Sequence, residues 1–199
     1  MFRLILTALF LALPIAAPAQ ELNALKGHDG WVSGVAFFPD GKTLVTGSAD
    51  KTAKIRNLDT GKTKTLNGHT DYVSAVAVSR DGRMVATASY DGTVRVWDPN
   101  SGDSRQVLKG HRGAVLAVAF SMDGKTLASG GVDGDIWLWD PAFGRATATL
   151  KGHKSWVNGL AFAPDTETLA SASSDNTVRL WDAPERLIEA LLGAIEPGD

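Results

Sequence analysis

Four histidines and the aspartates that follow them are the residues of this sequence best suited to chemistry. Each histidine stands in a Gly-His pair, and an aspartate follows each one 22 residues later. An imidazole beside a carboxylate can perform acid–base catalysis or, as part of a larger set, hold a metal ion. The four pairs are His28 with Asp50, His69 with Asp91, His111 with Asp133, and His153 with Asp175.

The even spacing of these histidines argues against one shared reaction centre. Successive histidines are 41, 42 and 42 residues apart, and they are all 4 histidines of the chain. Residues at one offset of a repeat occupy equivalent places in successive structural units, so they lie apart rather than converge. We therefore interpret the histidines as structural, and we predict no catalytic residue, no metal site and no cofactor.

Composition excludes several function classes. The 199 residues are 44% hydrophobic, enough for one domain or at most two. A net charge of −2 without long runs of either sign is not the footprint of a nucleic-acid-binding protein. With 0 cysteines, the chain has no disulfide, no thiolate metal site and no cysteine nucleophile. The familiar nucleophile-elbow, phosphate-loop and paired-histidine motifs are missing too.

The first 19 residues have the layout of a secretory signal. Arg3 precedes an apolar stretch from Leu4, and Ala17-Pro18-Ala19 provides a small-residue cleavage site. Residues 4–19, interrupted by two prolines, are shorter than the roughly 20 residues that a membrane span needs. We expect residues 1–19 to be removed, leaving a secreted or periplasmic protein with no stable membrane span.

Each repeat reads as four short strands joined by tight turns. Apolar runs follow the Gly-His pairs, and an aspartate 12 residues after each histidine begins the next turn. The apolar runs are 31–37, 72–78, 114–120 and 156–162, and the turn aspartates are Asp40, Asp81, Asp123 and Asp165. Repeated hairpins without an intervening helix predict an all-β chain of antiparallel sheets.

Gly-His, the later aspartate and Trp-Asp, at matching offsets, resemble the WD-repeat family of β-propellers. Trp-Asp closes three of the four repeats, as Trp97-Asp98, Trp139-Asp140 and Trp181-Asp182. The resemblance covers residues 21–182 and implies four four-stranded blades over residues 20–182. It also implies that residues 21–26 supply the outer strand of the last blade.

The resemblance further implies a hydrogen-bonded tetrad in each blade, from tryptophan to hydroxyl to histidine to aspartate. A closed network is physically sound, because a buried polar atom is tolerated only with a partner. The implied tetrads are Trp97, Thr87, His69 and Asp91; Trp139, Ser129, His111 and Asp133; and Trp181, Ser171, His153 and Asp175. Because Arg56 replaces the tryptophan of the first repeat, we expect that blade to be the least stable or to lie at an edge.

Five aromatic residues remain as candidates for partner binding. Trp31, Tyr72 and Trp156 follow their histidines by three residues, and Tyr90 precedes a turn aspartate. The resemblance places these positions near the rim of a binding face, where large rings can anchor a partner; the alternative is packing against the neighbouring blade. Trp137 stands where other repeats have lysine or arginine, which suggests an exposed ring.

Four blades raise a problem of closure. An open array leaves apolar strands in water, so three solutions remain: a ring of two chains with eight blades, a strained four-bladed ring, or a fragment of a longer propeller. We favour the homodimer.

A period change after residue 182 predicts a short amphipathic helix and tail over 183–199, with an apolar stripe from Leu187 to Ile195.

The functional expectation is a non-enzymatic scaffold that binds a protein or peptide outside the cytoplasm. One alternative is an accessory subunit of a redox or transport complex in the cell envelope. Another is a propeller-based hydrolase that uses carboxylates, which requires several acids to converge at one opening. The sequence itself does not separate the scaffold from the accessory subunit.

Overall fold

The computed structural model describes residues 24–164 and 168–182, and the elements in these ranges are β-strands without any helix. The all-β expectation is therefore confirmed for this part of the chain. The strands are β1 Val32–Phe37, β2 Thr43–Ser48, β3 Ala53–Asn57, β4 Thr63–Leu66, β5 Val73–Val78, β6 Val85–Ser89, β7 Thr93–Trp97, β8 Ser104–Lys109, β9 Val115–Phe120, β10 Leu127–Gly131, β11 Ile136–Asp140, β12 Arg145–Leu150, β13 Val157–Phe162, β14 Thr168–Ser173 and β15 Val178–Asp182.

The strands form four antiparallel sheets, which we call blades 1 to 4. Each blade takes its strands in chain order: β1 to β4, β5 to β8, β9 to β12 and β13 to β15. The innermost strands β1, β5, β9 and β13 lie side by side, each packed against the next. Consecutive hairpins produce this order because short turns can join only antiparallel neighbours.

The Asp-Gly turns form as the sequence predicts. Gly41 adopts a φ of +65°, a conformation that costs glycine little because it has no Cβ. Asp40 accepts hydrogen bonds from the backbone N–H groups of Lys42 and Thr43, both at 2.9 Å. The turn aspartates therefore shape hairpins, although Asp165 lies outside the described residues.

The core lies between blades rather than inside one sheet. Val45, Ile55 and Leu66 of blade 1 pack with Val85 and Trp97 of blade 2, and the same kind of cluster recurs at the next two junctions. Because the sheets of blades 2 and 3 bury one face against the preceding blade and the other against the following blade, their strands read as nearly continuous apolar runs.

The two ends of the array decide against the single-chain four-bladed ring and correct the expected strand over residues 24–26. The four blades do not close into a ring, since side chains on the outer faces of blades 1 and 4 stay exposed. Residues 24–26, part of the segment expected to be an outer strand of the last blade, form no strand. The Arg56 guanidinium and the Lys54 ammonium of blade 1 donate to the carbonyls of Lys26 and Gly27, at 3.1 and 2.9 Å, and hold this segment beside blade 1 instead.

Blade 4 has three strands among the described residues rather than the expected four. The proposed signal at 1–19 and the proposed helix at 183–199 lie outside the described residues. Among residues 24–164 and 168–182, no helix has the length and apolar character needed to cross a membrane.

Candidate functional site

The four polar side chains expected in blade 2 meet in one chain of hydrogen bonds. The Trp97 indole N–H donates to the Thr87 hydroxyl oxygen at 2.8 Å. His69 Nε2 lies 2.7 Å from the same hydroxyl, and His69 Nδ1 lies 2.7 Å from Asp91 Oδ2. The hydroxyl is fully buried and the imidazole nearly so, which makes complete pairing a requirement.

The chemistry of the donors fixes the proton positions in this network. An ionised carboxylate only accepts, so Nδ1 of His69 carries the proton and donates it to Asp91. In the neutral ring Nε2 is then an acceptor, and the Thr87 hydroxyl donates to it. The lone pairs of that hydroxyl accept the indole N–H of Trp97, so every group in the chain is satisfied.

Blades 3 and 4 repeat this network with serine as the hydroxyl. In blade 3, Trp139 Nε1 and His111 Nε2 both lie 2.8 Å from Ser129 Oγ, and Asp133 faces His111 Nδ1 at 3.1 Å. In blade 4, Trp181 Nε1 and His153 Nε2 lie 2.7 Å from Ser171 Oγ. Asp175 lies 2.8 Å from His153 Nδ1.

Blade 1 keeps three of the four members. His28 lies 2.7 Å from Asp50 and 2.8 Å from Thr46, but Arg56 directs its guanidinium to the Lys26 carbonyl instead of to the hydroxyl. Thr46 thus receives no indole N–H. The expectation that blade 1 is the least stable remains a prediction.

A threonine that the sequence analysis missed completes three of the networks. Thr52, Thr93 and Thr177 donate their hydroxyls to Oδ1 of the aspartate two residues earlier, at 2.6, 2.7 and 2.6 Å. The sequence pattern that could have revealed this residue is a threonine 24 residues after the histidine, which is present in three of the four repeats. The third repeat has Asp135 there, and Asp133 turns both of its oxygens toward His111.

The serine, histidine and aspartate of blades 3 and 4 have the connectivity of a hydrolase triad, but not the access. Ser129 is 0% exposed and Ser171 is 1% exposed. A tryptophan N–H occupies the oxygen that would have to attack a substrate. A nucleophile needs an open approach and a site for the oxyanion. The arrangement therefore favours a structural role over catalysis.

Burial and hydrogen bonding shift the pKa values of these groups. Burial lowers the pKa of His69, and this effect exceeds the opposing pull of Asp91. Burial alone would raise the pKa of Asp91, but hydrogen bonds from Thr93, His69 and the Thr70 N–H outweigh it and bring the pKa to about 2. Both shifts favour the neutral imidazole beside an ionised carboxylate.

We expect stability to fall in two steps as the solution is acidified. Below pH 6.5 the imidazole of His69 takes up a proton more readily in the unfolded chain than in the folded chain, so acidification favours unfolding. Below pH 3.8 the same argument applies to Asp91, until its folded-state pKa of about 2 is reached. Urea midpoints measured from about pH 7 to pH 3 test this expectation.

Asp91→Asn should remove part of the lower step, whereas Asp59→Asn, at an exposed ion pair with Lys42, should leave the pH profile unchanged. Urea midpoints that stay constant over the whole pH range would contradict the network.

Three aromatic side chains form an exposed cluster across blades 1 and 2, which we call the aromatic patch. Trp31, Tyr72 and Tyr90 are 70%, 38% and 48% exposed. The ring centroids of Trp31 and Tyr72 are 5.8 Å apart, edge to face, and those of Tyr72 and Tyr90 are 5.7 Å apart. The rings thus pack across a blade junction and still present a wide apolar surface.

The histidine–aspartate networks position this patch. Asp50 accepts the N–H of Asp29 at 3.0 Å, and Asp91 accepts that of Thr70 at 3.1 Å, which fixes the loops that lead to Trp31 and Tyr72. The Tyr90 N–H donates to the Tyr72 carbonyl at 2.9 Å, so both tyrosines are held on one loop pair. A rigid backbone lowers the entropy that aromatic side chains lose on binding.

The other two candidates differ from the patch. Trp156 is exposed on blade 4, but blade 3 offers Ala114 at the equivalent position, so the patch does not extend to it.

Trp137 is half-buried, which corrects the expectation of an exposed ring. It stacks on Trp139 at 5.3 Å and lies 6.1 Å from His111, edge to face. It covers the tetrad as Arg95 covers Trp97 in blade 2.

A groove of about 420 Å³ lies beside the patch, between blades 2 and 3. Its lining includes Tyr90, Asp91 and Lys109. The groove therefore joins one ring of the patch to both an acidic and a basic residue.

Two of the turn aspartates accept hydrogen bonds within their own turns. Ser79 donates to Asp81 at 2.6 Å, and Ser121 donates to Asp123 at 2.7 Å. No group of three or more histidine, cysteine or acidic residues within 24–164 and 168–182 is arranged to hold a metal ion.

Three curated relatives each match about a quarter of the chain. Pre-mRNA-splicing factor PRP46 of Yarrowia lipolytica is 46% identical over 48 residues, which are 24% of this chain and 11% of that protein. Protein pleiotropic regulator PRL2 of Arabidopsis thaliana is 48% identical over 48 residues, or 24% and 10%. Lissencephaly-1 homolog 1 of Paramecium tetraurelia is 48% identical over 44 residues, or 22% and 11%.

The alignments span about a tenth of the length of these relatives, so they carry the repeat and not the whole protein. The family model described as WD domain, G-beta repeat covers much more of the chain. It matches residues 19–57, 61–98, 102–140 and 144–182. Each match covers the first three strands of one blade, and the last three matches begin with the outer strand of the preceding blade, β4, β8 or β12. The chain therefore belongs to the WD domain, G-beta repeat family, with four copies of the repeat.

Proposed function

We propose that this chain is a non-enzymatic scaffold that binds other proteins outside the cytoplasm. Two kinds of partner are proposed: a protein or peptide segment held at the aromatic patch, and a second copy of the chain at the open ends of the array. The patch is the observation that carries the proposal. Trp31, Tyr72 and Tyr90 combine exposure with mutual contact, as anchors of protein interfaces do.

The buried state of the histidines supports a binding role over catalysis. All four imidazoles are bound by a hydroxyl and a carboxylate of their own blade, which leaves none free to exchange protons with a substrate. What the fold leaves accessible is a rigid surface of aromatic rings beside a groove. Such a surface suits recognition of a partner rather than chemistry on it.

The location is proposed from the sequence. Residues 1–19 have the layout of a cleaved secretory signal, and the absence of cysteine frees the fold from any dependence on disulfides. Export leaves a chain that begins at Gln20, which N-terminal sequencing of the extracellular or periplasmic protein detects. Full retention of residues 1–19 in the cytoplasm would contradict this part of the proposal.

We expect Tyr90→Ala to weaken binding of the partner on the order of 10- to 30-fold, because Tyr90 borders both the patch and the groove. Trp31→Ala should give a loss of similar size. A stoichiometric partner is first isolated from the extracellular or periplasmic fraction, and calorimetry then measures its affinity for each variant.

Phe143→Ala is the matched control, because Phe143 is 73% exposed in the β11–β12 turn, at the opposite ends of the strands from the patch. Equal affinity of the patch variants and the control would overturn the assignment. Turnover of a substrate by the isolated chain would overturn the non-enzymatic role.

A further inference from the structure

We infer that two copies of the chain join head to tail, blade 1 of each packing on blade 4 of the other. This inference rests on the proposed self-association and assigns the surfaces that carry it. The leading face consists of Val32, Val35 and Phe37 on β1. The trailing face consists of Ala172, Val178 and Leu180 on β14 and β15.

The trailing face is apolar and uncovered only in blade 4. Val178 and Leu180 are 70% and 72% exposed. Their equivalents in blades 1 to 3 are buried beneath the next blade: Ala53 and Ile55, Val94 and Val96, and Ile136 and Leu138. Blade 4 thus carries the side chains of a blade junction without the blade that covers them.

The leading face has the complementary property in blade 1. Val32 is 56% exposed, whereas its equivalents Val73, Val115 and Val157 are 0% exposed. Val35 and Phe37 are 64% and 59% exposed on the same strand. Blades 2, 3 and 4 each pack this face against the preceding blade. In blade 1 the same face is exposed, because no blade of the chain covers it.

The internal junctions show how these faces fit. A Cβ built at Gly47 of blade 1 would lie 3.4 Å from Val73 Cβ of blade 2 and 2.7 Å from Val73 Cγ1, so the two blades approach so closely here that a side chain at Gly47 would displace the valine. At the next junction the equivalent of Gly47 is Ala88, which is 0% exposed and packs with Val115. An alanine is therefore accommodated at this position, and Ala172 is the equivalent residue of blade 4, facing where Val32 of a second copy would lie.

A hydrogen bond across each of the first two junctions has a counterpart at the proposed contact. Ser33 of blade 1 donates its hydroxyl to the Val73 carbonyl, and Ser74 of blade 2 donates to the Val115 carbonyl at 2.5 Å. Blade 4 has Asn158 at the serine position. Its side-chain amide donates one hydrogen to Ser174 Oγ at 2.7 Å, and the second amide hydrogen can meet the Val32 carbonyl of the second copy.

A second copy fits the open ends because each copy supplies both faces. A head-to-tail contact either closes into a ring or extends as a filament. Two copies make eight blades, within the usual range of about four to eight for closed propellers. The contact also removes the exposed apolar strands that an open array leaves in water. Arg56 at the rim of the leading face makes this contact more polar than the internal junctions.

Engineered cysteines test the assignment of faces in a chain with 0 native cysteines. Val32→Cys and Ala172→Cys are prepared separately, mixed at equal concentration and exposed to mild oxidant. The Gly47–Val73 spacing of 3.4 Å between Cβ atoms lies at the short end of the disulfide range of about 3.5–4.5 Å, so a small outward shift allows the bond. We expect a disulfide-linked pair in the mixture, and neither variant should link to itself. Phe143→Cys mixed with Val32→Cys is the control and should not link.

Light scattering of the unmodified chain tests self-association independently of the cysteines. We expect twice the mass of one chain, and Leu180→Lys should return it to a monomer with an unchanged circular dichroism spectrum. Phe143→Lys should remain a dimer. A monomeric unmodified chain, or growth beyond the dimer, would overturn the two-copy ring. A dimer in which Val32→Cys and Ala172→Cys fail to link would overturn the assigned faces, and neither result bears on partner binding at the patch.

Discussion

Replacing Trp97 with alanine is expected to lower the free energy of unfolding by about 3–5 kcal/mol. The indole is 1% exposed and packs with Val45 and Leu66 across the junction of blades 1 and 2. The substitution opens a cavity at that junction and removes the N–H that Thr87 accepts. Urea unfolding followed by circular dichroism measures the loss.

The sequence provides a matched control at the same offset of the first repeat. Arg56→Ala removes a partly exposed side chain whose guanidinium donates to the Lys26 carbonyl at 3.1 Å, so we expect a loss below about 1 kcal/mol. A typical domain has about 5–15 kcal/mol of stability, so the Trp97 variant should stay folded enough to measure. Similar losses for the two variants would contradict the proposed role of the tryptophan between blades.

Thr87→Val is the second substitution with a large expected effect, although it hardly changes the volume of the side chain. Valine leaves both the Trp97 N–H and His69 Nε2 without a partner in a buried site. Each unsatisfied group costs about 1–3 kcal/mol, so we expect the two together to cost about 2–6 kcal/mol.

Thr46→Val in blade 1 separates the two contributions. Its hydroxyl meets His28 but no indole, so the expected loss is smaller by about 1–2 kcal/mol. A double-mutant cycle that combines Thr87→Val with Trp97→Phe then measures the coupling between the Trp97 indole and the Thr87 hydroxyl. A coupling near zero would show that the hydrogen bond from Trp97 contributes nothing to stability.

The repeat and its strands could be predicted because they depend on local signals. Asp-Gly turns and alternating apolar residues mark the hairpins wherever they occur, and the innermost strands end at the last residues of the predicted apolar runs. The innermost strands begin one residue later than predicted. A β-bulge between Val32 and Gly34 disturbs the register there, and bulges leave little trace in the apolar pattern.

What the sequence could not provide depends on neighbours in space. Trp137 reads as an exposed ring because its equivalents are lysine or arginine, yet it stacks over Trp139 just as Arg95 lies over Trp97. A long cation and a flat ring can cover the same surface, which composition alone does not reveal. The contact of Trp31 with Tyr72 likewise depends on how blades 1 and 2 meet, not on either repeat.

The exposure of the terminal faces is also a property of the assembly. Val178 has the same offset as the buried Val94, and the two differ only because a further blade covers one of them. Offsets within a repeat predict which side chains face a junction, but not whether a junction forms there.

The central claim is that each histidine belongs to a closed network within its own blade. Two-dimensional ¹⁵N–¹H NMR of the 4 imidazoles tests it most directly, because it reports which ring nitrogen carries the proton. At pH 7 we predict the Nδ1–H tautomer for all four rings, with His69 still neutral as the pH falls below 6.5. Nε2–H tautomers, or contacts between imidazoles of different repeats, would contradict the account.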